Sequence, residues 1–109
     1  MSTKLVMCII QDEDEKRLRD AMVEAGYAFT KIGSTGGFLR QGNVTLISVT
    51  EEEELPGLVD LVTETCHERT HLVNPYLYMG HEGLVGEPFE VRVGGAVLFV
   101  LEVDSTVRV

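Results

Sequence analysis

The chain has 109 residues, 44% of them hydrophobic and 25% charged, with a formal net charge of −9. That length fits a single domain over residues 1–109 whose core needs no disulfide staples, and the apolar content excludes a disordered chain. The acidity excludes nonspecific binding to DNA or RNA, whose phosphates most of the surface would repel; no apolar run approaches the ~18 residues of a membrane span, and Lys4 with the short run "LVMCII" is too little for a signal peptide, which points to a cytoplasmic protein.

Residues 4–10, "KLVMCII", read as a strand. Leu5, Met7 and Ile9 share one face and Val6, Cys8 and Ile10 the other, so both faces are apolar and both need cover. Asp12 follows in the position of a helix N-cap, with Glu15 three residues on as its capping partner. Glu13 and Asp14 suit the positive end of the helix dipole. Leu18, Ala21, Met22 and Ala25 form a stripe at helical spacing, and Gly26 ends the helix.

A second strand is expected from Tyr27 to Gly33, and a third over Asn43–Thr50. Between them lies "TKIGSTGGFLRQGN", Thr30 to Asn43. It carries Gly36, Gly37 and Gly42, two cations in Lys31 and Arg40, and Phe38-Leu39 directly after the glycine pair. It also lies within residues 25–50, which contain no acid, although the chain as a whole is strongly acidic. Glycines let backbone N–H groups approach a ligand closely. An aromatic supplies a stacking face, and an arginine supplies a fork of donors for phosphate. A tight turn without a ligand is the alternative, but a turn alone does not call for a bulky Phe-Leu pair.

"EEEELPGLVDLVTETC" reads as a second helix, with Leu55, Leu58, Val59, Val62 and Cys66 in helical period and Glu51 to Glu54 at its dipole-compatible start. Residues 67–88 form a long connection rich in His, Gly, Pro and Tyr. The final strands are "FEVRV" and "AVLFVLEV", with Gly94-Gly95 between them as a bulge or tight hairpin. The two cysteines, Cys8 and Cys66, each sit in an apolar segment and read as buried thiols. His67 and His71 have the spacing that puts two imidazoles on one helix face, and Glu64, Glu68 or His81 would complete a zinc site. Exposed histidines at a frayed helix end explain them more simply, so no metal site is expected, and no nucleophile–base pair can be assembled.

The order strand, helix, strand, strand, helix, strand is the α+β, ferredoxin-like arrangement, with both helices on one sheet face. The first and last strands are apolar on both faces, so the open face is expected to bury itself against copies of the same chain.

The glycine segment resembles the signature of the PII-like cyclic di-AMP receptor family. The resemblance runs over almost the whole chain, through "QDED", "TETC" and "FEVRVGGAVLFVLEVD". It implies a non-enzymatic ferredoxin-like subunit of PII-like type with an extra hairpin near the C-terminus. It further implies assembly as a homotrimer without a cofactor, cyclic di-AMP or another adenine nucleotide held between subunits, and an unknown downstream protein partner. By the resemblance Thr30, Gly37, Phe38, Leu39 and Asn43 contact the dinucleotide; Arg40 lies in the same motif, and Phe99 and Arg108 lie in the matching C-terminal segment. Gly36 and Lys31 belong to the same acid-free cleft, the lysine as an attractor of phosphate. The chain departs from the family pattern where members that bind cyclic di-AMP well tend to carry Asn and Arg, here Gly26 and Ala28. Arg108 replaces a glutamine, and Val49 a small glycine. A loss of dinucleotide binding in favour of another nucleotide or metabolite, or a metal-binding trimer built on His67 and His71, are the alternatives.

Overall fold

A computed structural model describes residues 2–32, 42–73 and 88–109. Strand β1, Thr3–Gln11, runs through the middle of the molecule and pairs antiparallel with β3, Asn43–Glu51, on one side and β6, Ala96–Glu102, on the other. The short strand β2, Thr30–Ile32, pairs with the outer edge of β3, so the four-stranded sheet has the order β2-β3-β1-β6. This is the ferredoxin-like order expected from the sequence. Helices α1, Asp12–Ala25, and α2, Leu55–Cys66, pack against one face. Their Leu18, Met22, Leu58, Val62 and Cys66 meet Val6, Cys8 and Ile10 of β1 and Val44 and Leu46 of β3 in one core. The alternation of β1 is exact: Val6 and Ile10 are 1% exposed, while Leu5, Met7 and Ile9 on the other face are only half-buried.

Helix α1 begins differently from the expectation. Gln11, still in extended conformation, is the N-cap and offers no side-chain cap bond, and Asp12 is already the first helical residue. The physical reason is that β1 runs directly into the helix, and the Asp12 N–H is taken by the Gly42 carbonyl at 2.7 Å instead. Glu15 is therefore no capping partner; it faces Arg19 at 3.4 Å and Lys31 at 3.6 Å. The buried stripe is Asp14, Leu18 and Met22, whereas Ala25 is exposed. The helix ends as read. Gly26 takes φ 86°, its N–H bonds the Val23 carbonyl at 3.1 Å, and the Tyr27 N–H bonds the Met22 carbonyl at 2.9 Å, the paired bonds of a Schellman turn.

The glutamate run forms a 3-10 turn, Glu52–Glu54, leading into α2, whose Pro56 lies in the first turn where its missing N–H costs nothing. The second strand is shorter than expected, because residues 27–29 are spent turning back toward the sheet, with Tyr27 and Phe29 packed on the core. The connection after α2 is not all loop: Arg69–Val73 form β4, which pairs with β5, Phe89–Val93. The hairpin near the C-terminus is thus β4–β5 rather than the pairing of "FEVRV" with "AVLFVLEV" that the sequence suggests, and it is a separate two-stranded sheet. Gly94 and Gly95 do not close a hairpin between β5 and β6; with φ 85° and 90° they carry the chain from one sheet to the other. No helix among the described residues is long and apolar enough to cross a membrane.

Candidate functional site

Among the described residues the helices cover one face of the sheet and nothing covers the other, and the register settles which residues occupy that open face. Thr30 pairs with Ile47, Ile47 with Met7, and Met7 with Phe99, so these four form one row across all four strands. Three strand spacings put Thr30 and Phe99 ~14 Å apart, at opposite edges of the same face. On that face Val49 is 56% exposed, Val97 52%, Leu101 47% and Phe99 45%.

Two shallow hollows flank the row. One, of about 170 Å³, is lined by Ala28, Phe29, Thr30, Ile47 and Val49. The other, of about 340 Å³, is lined by Met7, Phe99, Val100 and Leu101. The first gathers a proposed ligand contact, Thr30, with two of the positions at which the chain departs from the family pattern, Ala28 and Val49. Gly26 holds the left-handed conformation that glycine adopts most freely, and asparagine is the next residue to tolerate it. The departure at that position therefore leaves the helix end intact. Ala28 is exposed and its carbonyl accepts the Ser48 hydroxyl at 2.6 Å, so the position is held by its backbone with its side chain free to change.

Asn43, cross-strand partner of Gln11, starts β3 and lines a third hollow of about 330 Å³ with Gln11, Glu68, Gly94 and Gly95. Lys31 lies opposite Leu46, on the helix side of the sheet, 3.6 Å from Glu15. It thus points away from Thr30, and its charge is partly committed within the chain. Arg108 is in the exposed segment after β6. Gly36, Gly37, Phe38, Leu39 and Arg40 lie outside the described residues, as does His81. The chain by itself accordingly brings Thr30, Ala28 and Val49 together, and holds Phe99 and Asn43 at separate places.

Cys8 and Cys66 are buried free thiols; burial pushes Cys8 up to about 12 and Cys66 up to about 11, so both stay protonated at neutral pH. Lys4 and Glu102 pair across β1 and β6, the shared hydrogen bond raising the lysine and lowering the glutamate. His67 caps the end of α2 and its Nδ1 lies 3.2 Å from the Thr63 carbonyl, whereas His71 is on β4. The helix ends before the pair can share a face, and among the described residues no group of three or more His, Cys, Asp or Glu is placed to hold a metal.

Asp14 is the residue that the sequence reading missed. It is 0% exposed and accepts hydrogen bonds from Arg17 Nη2 at 2.9 Å and Arg69 Nη2 at 2.6 Å. That contact raises Arg69 further above its ordinary value. The signal was available, because Asp14 extends the Leu18–Met22 stripe by one turn; its three acidic neighbours disguised it as part of a solvated helix start.

A sequence-family profile described as "Cyclic-di-AMP receptor" matches residues 3–109. The chain is 37% identical to a functionally unknown protein from Pediococcus pentosaceus, whose crystal structure superposes with a TM-score of 0.80, covering 100% of this chain and 99% of that one. It also shares the fold of CPII, a nitrogen regulatory PII-like protein from Thiomonas intermedia bound to ADP, AMP and bicarbonate, at 14% identity and a TM-score of 0.58, covering 100% of this chain and 98% of that one. A second structure of that protein gives 15% identity and a TM-score of 0.55, covering 94% and 93%.

Proposed function

The chain belongs to the cyclic-di-AMP receptor family, and from that premise we propose that it is a non-enzymatic signalling protein that binds cyclic di-AMP between the subunits of a homotrimer. The observation that carries this reading is the uncovered sheet face. It is apolar, so it needs a partner, and its two edges present different halves of the expected contact set, Thr30 at one and Phe99 at the other. When copies close around a rotation axis, the Phe99 edge of one subunit approaches the Thr30 edge of the next, and ~14 Å within a subunit becomes a shared cleft. Asn43 adds a hydrogen-bonding amide at the β3 end, and the acid-free stretch 25–50 lets an anion approach a protein of net charge −9. The PII-like protein from Thiomonas holds ADP and AMP, which supports adenine nucleotides as the ligand class.

Ala28 and Val49 favour a second reading within the same class. They replace a donor and a glycine inside the Thr30 hollow, so a smaller adenine nucleotide fits a site that has lost part of its grip on the dinucleotide. The alternatives separate in calorimetric titrations with cyclic di-AMP, AMP and ADP, run beside light scattering that should give three times the 12.1 kDa subunit mass. A ligand at 100 times its Kd adds about 2.7 kcal/mol per site and raises Tm by several degrees. Phe38→Ala should abolish that rise in an intact trimer, and Ala28→Arg should strengthen cyclic di-AMP binding. Silence from both wild type and Ala28→Arg toward every adenine nucleotide would end the nucleotide reading.

A further inference from the structure

Among the described residues the hairpin β4–β5 shares no strand ladder with the four-stranded sheet. A two-stranded ribbon is marginal in water by itself, so its root matters. Polar contacts there fasten both of its strands. Arg69, the first residue of β4, sends Nη2 to Asp14 Oδ1 at 2.6 Å and Nη1 to Asp14 Oδ2 at 3.3 Å, and Nη1 also donates to the His67 carbonyl at 3.1 Å. On the other strand, the Gly94 N–H that follows β5 donates to Gln11 Oε1 at 2.7 Å. The Gly95 N–H donates to the Cys66 carbonyl. Glycine is required at 94: φ is +85°, and a Cβ would stand 2.5 Å from Arg69 Nη1 and 2.5 Å from the His67 carbonyl oxygen.

Gln11 and Asp14 belong to one corner, the passage from β1 into α1. The same corner grips the exit of the glycine loop. The Asp12 N–H donates to the Gly42 carbonyl at 2.7 Å, and Gln11 stands in register with Asn43. Within the four residues from Gln11 to Asp14 the chain therefore bonds to the loop exit and to both strands of the hairpin. The corner has little freedom to yield. Gln11 ends the central strand β1, and Asp14 is fully buried and also paired with Arg17, whose Nη2 donates to the Thr65 carbonyl at 2.7 Å. A buried carboxylate stays where its donors are, because leaving it unpaired is costly.

We propose that residues 11–14 form a polar latch that couples the exit of the glycine loop to the β4–β5 hairpin, so that loosening either loosens the other. On this proposal the hairpin exchanges between the latched arrangement described above and an unlatched one, and the corner is the element through which both segments bias that equilibrium. Such coupling is reciprocal. It can be driven from the hairpin side with no ligand present, so the inference stands independently of the nucleotide reading.

The test is amide hydrogen exchange on the full-length protein, expressed as protection factors. Arg69→Gln breaks the two-pronged contact but leaves Asp14 paired with Arg17; Gln11→Ala removes the acceptor of the Gly94 N–H. In both variants the hairpin amides of residues 70–73 and 89–93 should lose protection by about tenfold or more. The Asp12 amide, which makes the latch's contact with the loop exit, and the Val44 amide next to that exit should lose protection severalfold, while Val6 and Ser48 in the middle of the sheet keep theirs. Hairpin loosening with Asp12 and Val44 unchanged in both variants would overturn the coupling. An unchanged hairpin, or an equal loss everywhere in both variants, would overturn the latch itself. Calorimetry with cyclic di-AMP on wild type runs as a separate arm; its failure sinks the nucleotide reading alone.

Discussion

The two faces of the central sheet are built from similar residues and behave as different materials. On the helix side Val6, Ile10 and Leu46 are each 1% exposed. One residue along the same strands, Leu5, Met7 and Ile9 are half-buried and Val49 is 56% exposed. Residue type does not distinguish the faces; the cover supplied by α1 and α2 does. A subunit finishes one face by folding, and in our reading it finishes the other by assembly. The covered face should then report on folding, and the open face on association.

The sharpest way to test the covered face is to open a hole in it. Leu58 is 1% exposed and lies in the cluster formed by both helices and the sheet. Leu58→Ala removes its side chain from a site that cannot fully collapse, at a cost of about 2–5 kcal/mol. Urea denaturation should show the full loss with the m-value unchanged. A change below about 1 kcal/mol would mean that this face is loosely packed and that the contrast between the faces is wrong.

A smaller, pH-dependent effect comes from the thiols on the same face. Cys8 rises from 9.0 to about 12 and Cys66 from 9.0 to about 11, both through burial. The folded values exceed the unfolded ones, so the folded state holds its protons longer. Their stabilising contribution is complete below pH 9 and is lost as the pH climbs through 11 to 12. For Cys8 the limiting slope is about 1.4 kcal/mol per pH unit. Denaturation at pH 8, 10 and 11 should show the decline, and a Cys8→Ala/Cys66→Ala variant should show a shallower one. An aromatic disulfide reagent should label neither thiol of the native protein at pH 8 within the time that labels the denatured chain.

Much of this contrast was legible in the sequence, because it rests on periodicity. The two-faced pattern of "KLVMCII" called for cover on both sides of β1, of which the helices supply one, and the Leu18–Met22 and Leu58–Val62 spacings gave the helices their inward faces. What was not legible depended on distant partners. "RTHLV" lacks clean alternation and becomes β4 only because β5 pairs with it. Asp14 looks like its acidic neighbours until Arg69, 55 residues away, reaches it. The candidate site divides in the same way. The glycine segment announced itself by composition, whereas the row linking Thr30 to Phe99 exists only in the register of four strands.

The smallest expected effect on the subunit's own stability is the most discriminating for the open face, and strand β6 provides the internal control. Leu98 points to the helix side and packs against the core, while Leu101 points to the open face and is 47% exposed. In an isolated subunit a lysine at 101 keeps its stem along the sheet and its ammonium in water, so Leu101→Lys should change subunit stability by no more than about 0.5 kcal/mol. In an assembly that buries this face, three such ammonium groups converge in an apolar interior without partners, which the interface cannot tolerate. Light scattering should fall from three subunit masses to one, while the circular dichroism spectrum stays that of the folded chain. Tm should also lose its dependence on protein concentration. The nucleotide response should vanish with the trimer, because Phe99 and Thr30 no longer meet across a subunit boundary. If Leu101→Lys remains trimeric, the open face is not the interface and the shared cleft has no basis; if it is monomeric yet still binds nucleotide, the site is contained within one subunit.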